Sequence, residues 1–367
     1  MGIITLQSFN RLNDWSREMN FPSDTKPTIK DVARACGVSV ATVSYVINGT
    51  RVLKPDTRER VLKAMEEMNY HPNAVARGLS SKKVHTLGVH CGVIHSHEFF
   101  ANPYASGILQ GVLKRAAQEG FDVTLFSRRW ENAVISLPSL SDGRTDGILV
   151  IAPSLDSDIL LSLSSGPMPL VAISATPHAR IPTVDVDNYQ GMRIVIRHLV
   201  ELGHRHIAAI LGDDDLASFE PRRQGIHDAL AEAAIEPRPD WIMTSRFSGE
   251  WAFEQTSALL RASEPPTAIC AGNDTIALAI IDAARCAGVS VPQQLSVVGF
   301  DDSPSATLVS PNLTTVRQPL REIGNCATGL LIDRMRGHRV ADDERPHLLS
   351  PELIVRGSTS AVPYARP

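Results

Sequence analysis

The residues able to do chemistry in this chain are few, and their spacing decides what they can do. His204-Arg205-His206 and Gly212-Asp213-Asp214-Asp215 are two clusters that could suggest metal binding or catalysis. The aspartates lack the alternating ligand pattern of a calcium loop, and the histidines join a helix end at Leu202-Gly203 to the strand that follows. Both read as structural. No P-loop, His-Glu-x-x-His, Gly-x-Ser-x-Gly or Gly-x-Gly-x-x-Gly motif occurs, so the chain is expected to be no enzyme and to need neither metal nor cofactor. What remains is binding chemistry. Ser39 and Thr42 bring hydroxyls to the start of a short helix, where the first N–H groups also suit phosphate. Val40, Ala41, Ser44 and Tyr45 of that helix are available to face outward.

Three short helices position these residues. Thr28 N-caps the first, with Asp31 three residues on in a capping-box pattern. It ends at Cys36-Gly37, where glycine permits a left-handed turn. Ser39 caps the second, which runs to about Ile47 and stops at Asn48-Gly49. Pro55-Asp56 opens the third, with Val61, Leu62, Met65 and Met68 on its apolar side. Val32, Val38, Val43 and Ile47 would pack the first two helices together. Helix, tight glycine turn and helix is the helix-turn-helix pattern, whose second helix enters the major groove; the geometry alone also fits an ordinary small helical subdomain.

Charge separates this block from the rest. Residues 28–83 hold ten Lys/Arg against five Asp/Glu, whereas residues 84–367 hold 23 against 32. A basic module on an acidic body points to a polyanion for the first and another partner for the second. No run approaches the ~20 apolar residues of a membrane helix. Residues 1–17 lack a basic segment followed by a long apolar one, and the five scattered cysteines include no Cys-x-x-Cys pair. A cytoplasmic protein with reduced thiols is expected.

The run Thr28-Ile29-Lys30-Asp31-Val32-Ala33, then Gly37 through Asn48, then Thr57-Arg58-Glu59-Arg60-Val61 and Tyr70 through Leu79, closely resembles the headpiece of the LacI-type bacterial repressors. The resemblance implies that Val40, Ala41 and Tyr45 read base edges. It places Thr28, Ser39, Thr42, Ser44, Asn48 and Tyr70 at phosphate-contacting or positioning sites. It makes Asn73-Ala74-Val75-Ala76-Arg77-Gly78-Leu79 a hinge helix, with Asn73 and Ala76 at the DNA and Leu79 as a minor-groove wedge.

Residues 84–367 alternate strand and helix. Strands are expected at Thr86–Cys91, Asp122–Phe126, Gly147–Ile151, Leu170–Ser174, His206–Leu211, Trp241–Ser245, Ala268–Ala271 and Ser296–Phe300. Amphipathic helices lie between most of them, which indicates doubly wound parallel sheets. The length suits two similar halves with a cleft at the strand ends. The expected architecture is therefore a small all-α headpiece plus a two-lobed α/β body, resembling the family's periplasmic-binding-protein-like effector domain. Its divisions are an extension at 1–27, the headpiece at 28–71, the hinge or linker at 72–83, and a ligand-binding and dimerisation body at 84–367.

The same resemblance makes Tyr104, Arg222, Phe247, Asn273, Asp301 and Gln318 candidate effector contacts, at strand ends or in a crossover loop. Arg222 and Asp301 would also suit a structural ion pair, because a buried charge needs a partner. Two places depart from the family pattern. Pro138 would break the helix usual between the second and third strands, and Ser174 stands where many sugar-binding members carry an aspartate. The resulting expectation is a ligand-responsive repressor of carbohydrate use that binds a pseudo-palindromic double-stranded DNA operator as a homodimer, with a sugar or sugar derivative as effector. A nucleobase-responsive regulator, a solute-binding transport component and an enzyme on an α/β scaffold are the rivals.

Overall fold

A computed structural model describes residues 27–48, 51–71, 83–92, 99–178, 181–338 and 345–362. The chain divides into two compact units, residues 1–83 and 84–367.

In the first unit, α1 (Ile29–Cys36), α2 (Val40–Asn48) and α3 (Pro55–Glu67) enclose Val32, Ala33, Val43, Val61 and Ala64. The Asp31 carboxylate accepts from the Thr28 N–H at 3.0 Å and from the Thr28 hydroxyl at 2.7 Å, fixing the start of α1. Gly37 ends it at φ 63°, a conformation that costs glycine little. Thr42 N–H donates to Ser39 Oγ at 3.1 Å, so Ser39 is a cap as its position implied. Leu62 does not join the core. It is exposed, and Ala64 takes the buried place on α3.

The second unit holds two six-stranded sheets. The first lobe contains β1 (Thr86–Cys91), α4 (Pro103–Glu119), β2 (Asp122–Phe126), α5 (Ala133–Leu140), β3 (Gly147–Ile151), α6 (Ile159–Ser164), β4 (Leu170–Ile173) and β5 (Thr183–Val186). The second contains α7 (Asn188–Glu201), β6 (Ile207–Leu211), α8 (Phe219–Glu232), β7 (Ile242–Thr244), α9 (Gly249–Leu260), β8 (Ala268–Ala271), α10 (Asp274–Cys286), β9 (Ser296–Asp301) and β10 (Thr314–Arg317). The chain then returns: α11 (Leu320–Met335) packs on α4 and β11 (His347–Leu349) pairs with β5, before β12 (Glu352–Ile354) pairs with β10. The sheet orders are β11-β5-β4-β3-β1-β2 and β12-β10-β9-β8-β6-β7, parallel except for β12. The chain thus passes between lobes three times, after β5, β10 and β11.

Apolar runs such as Ile148–Ile151 and Val297–Val298 are buried on both faces, as parallel strands under helices require. Pro138 does not prevent a helix, contrary to the expectation above. It sits in the last turn of the eight-residue α5. The carbonyl left without its N–H belongs to Val134, which is 86% exposed, so water can satisfy it. Trp130 packs against the core around Leu140 and Ile159 and donates its Nε1–H to Asp158 at 2.8 Å. Both His204 ring nitrogens are occupied, Nδ1 at 2.9 Å from Thr267 Oγ1 and Nε2 at 2.9 Å from Ser296 Oγ, which makes this histidine structural.

Candidate functional site

The headpiece presents α2 outward. Val40 and Ala41 are exposed, and Thr42, Ser44 and Tyr45 are half-buried. Thr28 is exposed at the start of α1, while Tyr70 packs against the headpiece core. Arg51, not anticipated from the sequence, places its guanidinium carbon 5.8 Å from the Tyr45 ring centroid. This cation–π contact steadies the ring and adds a charge beside it. A lone arginine in a loop carries no periodic signal to find it by. Asn73, Ala76 and Leu79 lie outside the described residues, as does the side chain of Asn48.

In the second unit, one cavity of about 400 Å³ is lined by Tyr104, Arg222, Phe247, Asn273, Asp301 and Gln318 together, at the carboxyl ends of strands from both lobes. Ser174, Asp185, Asn188, Asp213, Leu216, Ser218 and Arg246 complete much of the wall. The backbone is bent hard around it. Ala152, Ser174, Arg246, Phe247 and Asp301 have φ of 44°, 50°, 49°, 57° and 126°. Such conformations cost about 1–3 kcal/mol each and gather where side chains must be aimed. The turn at Phe247 lays its ring over Gly212, where an added Cβ would collide with the ring carbons.

A hydrogen-bonded relay crosses the cavity floor. Tyr104 Oη donates to Ser174 Oγ at 2.6 Å, and Ser174 Oγ donates to Asp185 Oδ1 at 2.7 Å. Asn188 Nδ2 donates to Asp185 Oδ2 at 3.1 Å, and Asn188 Oδ1 accepts from Arg222 Nε at 2.8 Å. Arg222 also donates from Nη1 to the Gly272 carbonyl at 2.5 Å and stacks 3.9 Å from the Phe300 ring centroid. Arg222 and Asp301 therefore form no direct ion pair. Neutral partners fix the guanidinium, and among the described residues its Nη2 has no hydrogen-bond partner. Asp301 Oδ1 accepts from Gln318 Nε2 at 2.6 Å, while Gln318 Oε1 is buried without a partner among the described residues. Asn273 Oδ1 is committed to the N-cap of α10, which leaves its amide N–H groups for a ligand. The adjacent Asp274 turns away to accept from Thr315 Oγ1 and Ser303 N–H, both at 2.6 Å, tying β9 and β10 together.

Burial dominates the electrostatics. It pushes the Asp185 carboxyl up to about 6, against hydrogen bonds from Ser174 and Val186 that oppose the rise. Asp301 is pushed up to about 8, by burial first and then by repulsion from Asp274, although Arg222 pulls the other way. Burial also raises the Tyr104 hydroxyl and lowers Arg222. A cavity with two reluctant carboxyls, one fixed guanidinium and an aromatic face accepts a polar molecule rich in donors. Asp185 and Asn188 were missed in the sequence because β5 is four residues long and mixes Thr and Asp with Val.

Residues 28–73 match the profile of bacterial regulatory proteins of the lacI family, and residues 196–359 match that of the periplasmic binding protein-like domain. The chain is 32% identical over 339 residues to the HTH-type transcriptional repressor PurR of Haemophilus influenzae (strain PittEE), covering 91% of this chain and 99% of that one. It is 34% identical over 337 residues to PurR of Photobacterium profundum, covering 90% and 98%. Among solved structures, the lac repressor dimer bound to operator and the anti-inducer ONPF aligns with a TM-score of 0.80 at 29% identity, over 92% of this chain and 100% of that one. A complex of the transcriptional regulator CelR with cellobiose aligns with a TM-score of 0.70 at 30% identity, over 90% and 99%. The chain belongs to the lacI family of bacterial regulatory proteins and is a DNA-binding transcriptional repressor of that family.

Proposed function

We propose that the protein represses transcription from a pseudo-palindromic operator as a homodimer and that a small neutral, hydroxyl-rich effector, a sugar or sugar derivative, changes its hold on DNA. The observation that carries this reading is the cavity in which Arg222, Asp301, Gln318 and Phe247 meet. Asp301 and Gln318 offer acceptors to hydroxyls, Arg222 offers a rigid donor, and Phe247 offers a face for a sugar ring. In this reading residues 28–71 read the groove, residues 72–83 form the hinge with Leu79 as the wedge, and residues 84–367 bind effector and partner copy. Leu125 on the edge strand β2 and Val134 and Ile135 on α5 are exposed apolar side chains on the first lobe, which suits contact with a second copy. Effector and operator would then be coupled by about 1–3 kcal/mol, equally in both directions.

A nucleobase effector is the second reading. It is favoured by the identity of 32–34% to PurR repressors over nearly the whole chain and by the aromatic Phe247 and Tyr104 in the cavity. A thermal-shift screen of sugars, sugar acids, nucleosides and bases separates the two. A ligand at 100 times its Kd adds about 2.7 kcal/mol of stability. A shift with sugars alone supports the first reading, and a shift with bases alone replaces it by the second.

A further inference from the structure

The effector cleft and the outer face of the second lobe meet at the end of β9. In the ladder, Asp301 of β9 is the partner of Arg317 of β10, and Arg317 is the partner of Glu352 of β12. Partners across a ladder share a face, whereas neighbours along a strand point to opposite faces. Arg317 points outward and is exposed, and its Nη1 donates to Glu352 Oε2 at 3.0 Å. Gln318, the next residue, is buried and lines the cleft. By register, then, Asp301 belongs beside Arg317 on the outer face. It does not go there. Its Oδ1 accepts from Gln318 Nε2 at 2.6 Å, on the cleft side.

Asp302 takes the place that Asp301 leaves. Its Oδ2 accepts from Arg317 Nε at 2.8 Å and its Oδ1 from Arg356 Nη2 at 2.5 Å, with the carboxylate side chain only 11% exposed. Arg356 is itself fixed, because its Nη1 donates to the Leu313 carbonyl at 2.8 Å. The backbone makes the exchange. φ is 126° at Asp301 and 55° at Asp302, and residues with a Cβ hold such values only where their surroundings impose them. Two guanidiniums on one carboxylate supply that constraint. Without Asp302, an extended Asp301 would lose the Gln318 amide and gain Arg317. A carboxylate is better placed on an exposed guanidinium than in a buried cavity.

We propose that Asp302 is a positioning residue for the effector cleft: by occupying Arg317 it keeps the Asp301 carboxyl turned inward, within reach of an effector. Asp302 does not line the cleft and acts only through its neighbour. This role rests on Asp301 being an effector contact, as proposed for the cleft. The test uses no effector, so each can fail alone.

Crystal structures of the full chain carrying Asp302→Ala test this. The expected result is an Asp301 carboxylate moved onto Arg317, with an extended backbone and the Gln318 bond lost. In the double variant D302A/R317L no guanidinium stands at that register position, and Asp301 should return to Gln318. A merely structural loss at Asp302 would not be rescued in this way. Potentiometric titration reads the same change in solution. Asp301 gives up its proton near pH 8, with Asp274, Arg222 and Tyr104 as the charged and titratable groups around it. Titrated through that pH, wild type should release one proton more than Asp301→Asn. D302A should release no more than Asp301→Asn, and D302A/R317L should regain the proton. Asp302→Asn keeps the shape and removes the charge, and replaces D302A in both measurements if that variant does not fold. The proposal is overturned if Asp301 stays on Gln318 or keeps its proton once Asp302 is substituted, or if D302A/R317L fails to restore either.

Discussion

Ser174 Oγ stands 2.7 Å from Asp185 Oδ1 and passes that carboxylate's influence to Tyr104, 2.6 Å away on its other side. An acceptor that the sequence had seemed to lose at Ser174 is thus supplied from the neighbouring strand, one step further back. Removing the hydroxyl should break the relay without emptying the cavity. Ser174→Ala is expected to weaken effector binding about tenfold, the scale of one buried hydrogen bond to a charged group. Operator binding in the absence of effector should stay at the wild-type level. Calorimetry with the screened effector and a gel-shift titration read the two.

Arg222 is held by Asn188, Gly272 and Phe300, so its own position does not depend on a ligand. Arg222→Leu should abolish the effector response while leaving specific DNA binding. The change also takes a donor from Asn188 Oδ1 and from the Gly272 carbonyl, and it removes the charge that draws the Asp301 and Asp185 carboxyls down, so a circular-dichroism melt should accompany the binding measurements. A variant that still responds to effector with unchanged affinity would place the effector elsewhere.

The two raised carboxyls make stability depend on pH with a definite sign. Asp301 and Asp185 bind protons in the folded state up to about pH 8 and about pH 6, against an ordinary value of 3.8. Between those limits the folded chain holds more protons than the unfolded one. Their contribution therefore falls as pH rises from about 4 to 8, by up to about 1.4 kcal/mol per pH unit for each group. An effector that donates hydroxyls to Asp301 favours its ionised form. Binding near pH 7 should release a proton, and affinity should rise with pH. Calorimetry in buffers of different ionisation enthalpy measures the proton, and Asp301→Asn should eliminate most of it.

A latch joins the two lobes through the loops that follow β3 and β6. Asp215, after β6, accepts from the backbone N–H of Leu155 at 3.0 Å and from the Ser154 hydroxyl, both after β3. Ser154 and Leu216 also form an antiparallel bridge. Asp215→Ala should favour an open cleft, raising the radius of gyration seen by small-angle X-ray scattering. Effector affinity should fall several-fold, because the binding-competent state is less populated. An unchanged scattering curve would show that the bridge alone holds the lobes.

On the DNA side, selection from random duplexes should first define the operator. Tyr45→Ala should then weaken it and relax preference at one or two positions, at about 1–3 kcal/mol for a lost base contact. Leu79→Ala should weaken operator binding while leaving effector binding unaltered. Equal operator affinity in that variant would remove the wedge from the mechanism.

Much of this was legible in the residues themselves. The capping box at Thr28 and Asp31, the Gly37 turn and the Ser39 cap are local, and their geometry depends on neighbours three or four residues away. The strands Thr86–Cys91, Asp122–Phe126, Gly147–Ile151 and Ala268–Ala271 were legible because their boundaries coincide with compact, largely apolar runs. Tertiary contacts decided the rest. The strands β5, β10, β11 and β12 are three or four residues long, too short to show a period, and exist because distant strands supply their ladders. Thr314 and Thr315 are fully buried in β10, where only partners such as Ser358 and Asp274 make that affordable. Composition and local pattern determined a basic helical reader and an α/β body. The carboxylate behind Ser174 and the latch at Asp215 arose only when residues 11 and 61 positions apart came together, because burial and hydrogen-bond partnership belong to the folded chain and not to any one stretch of it.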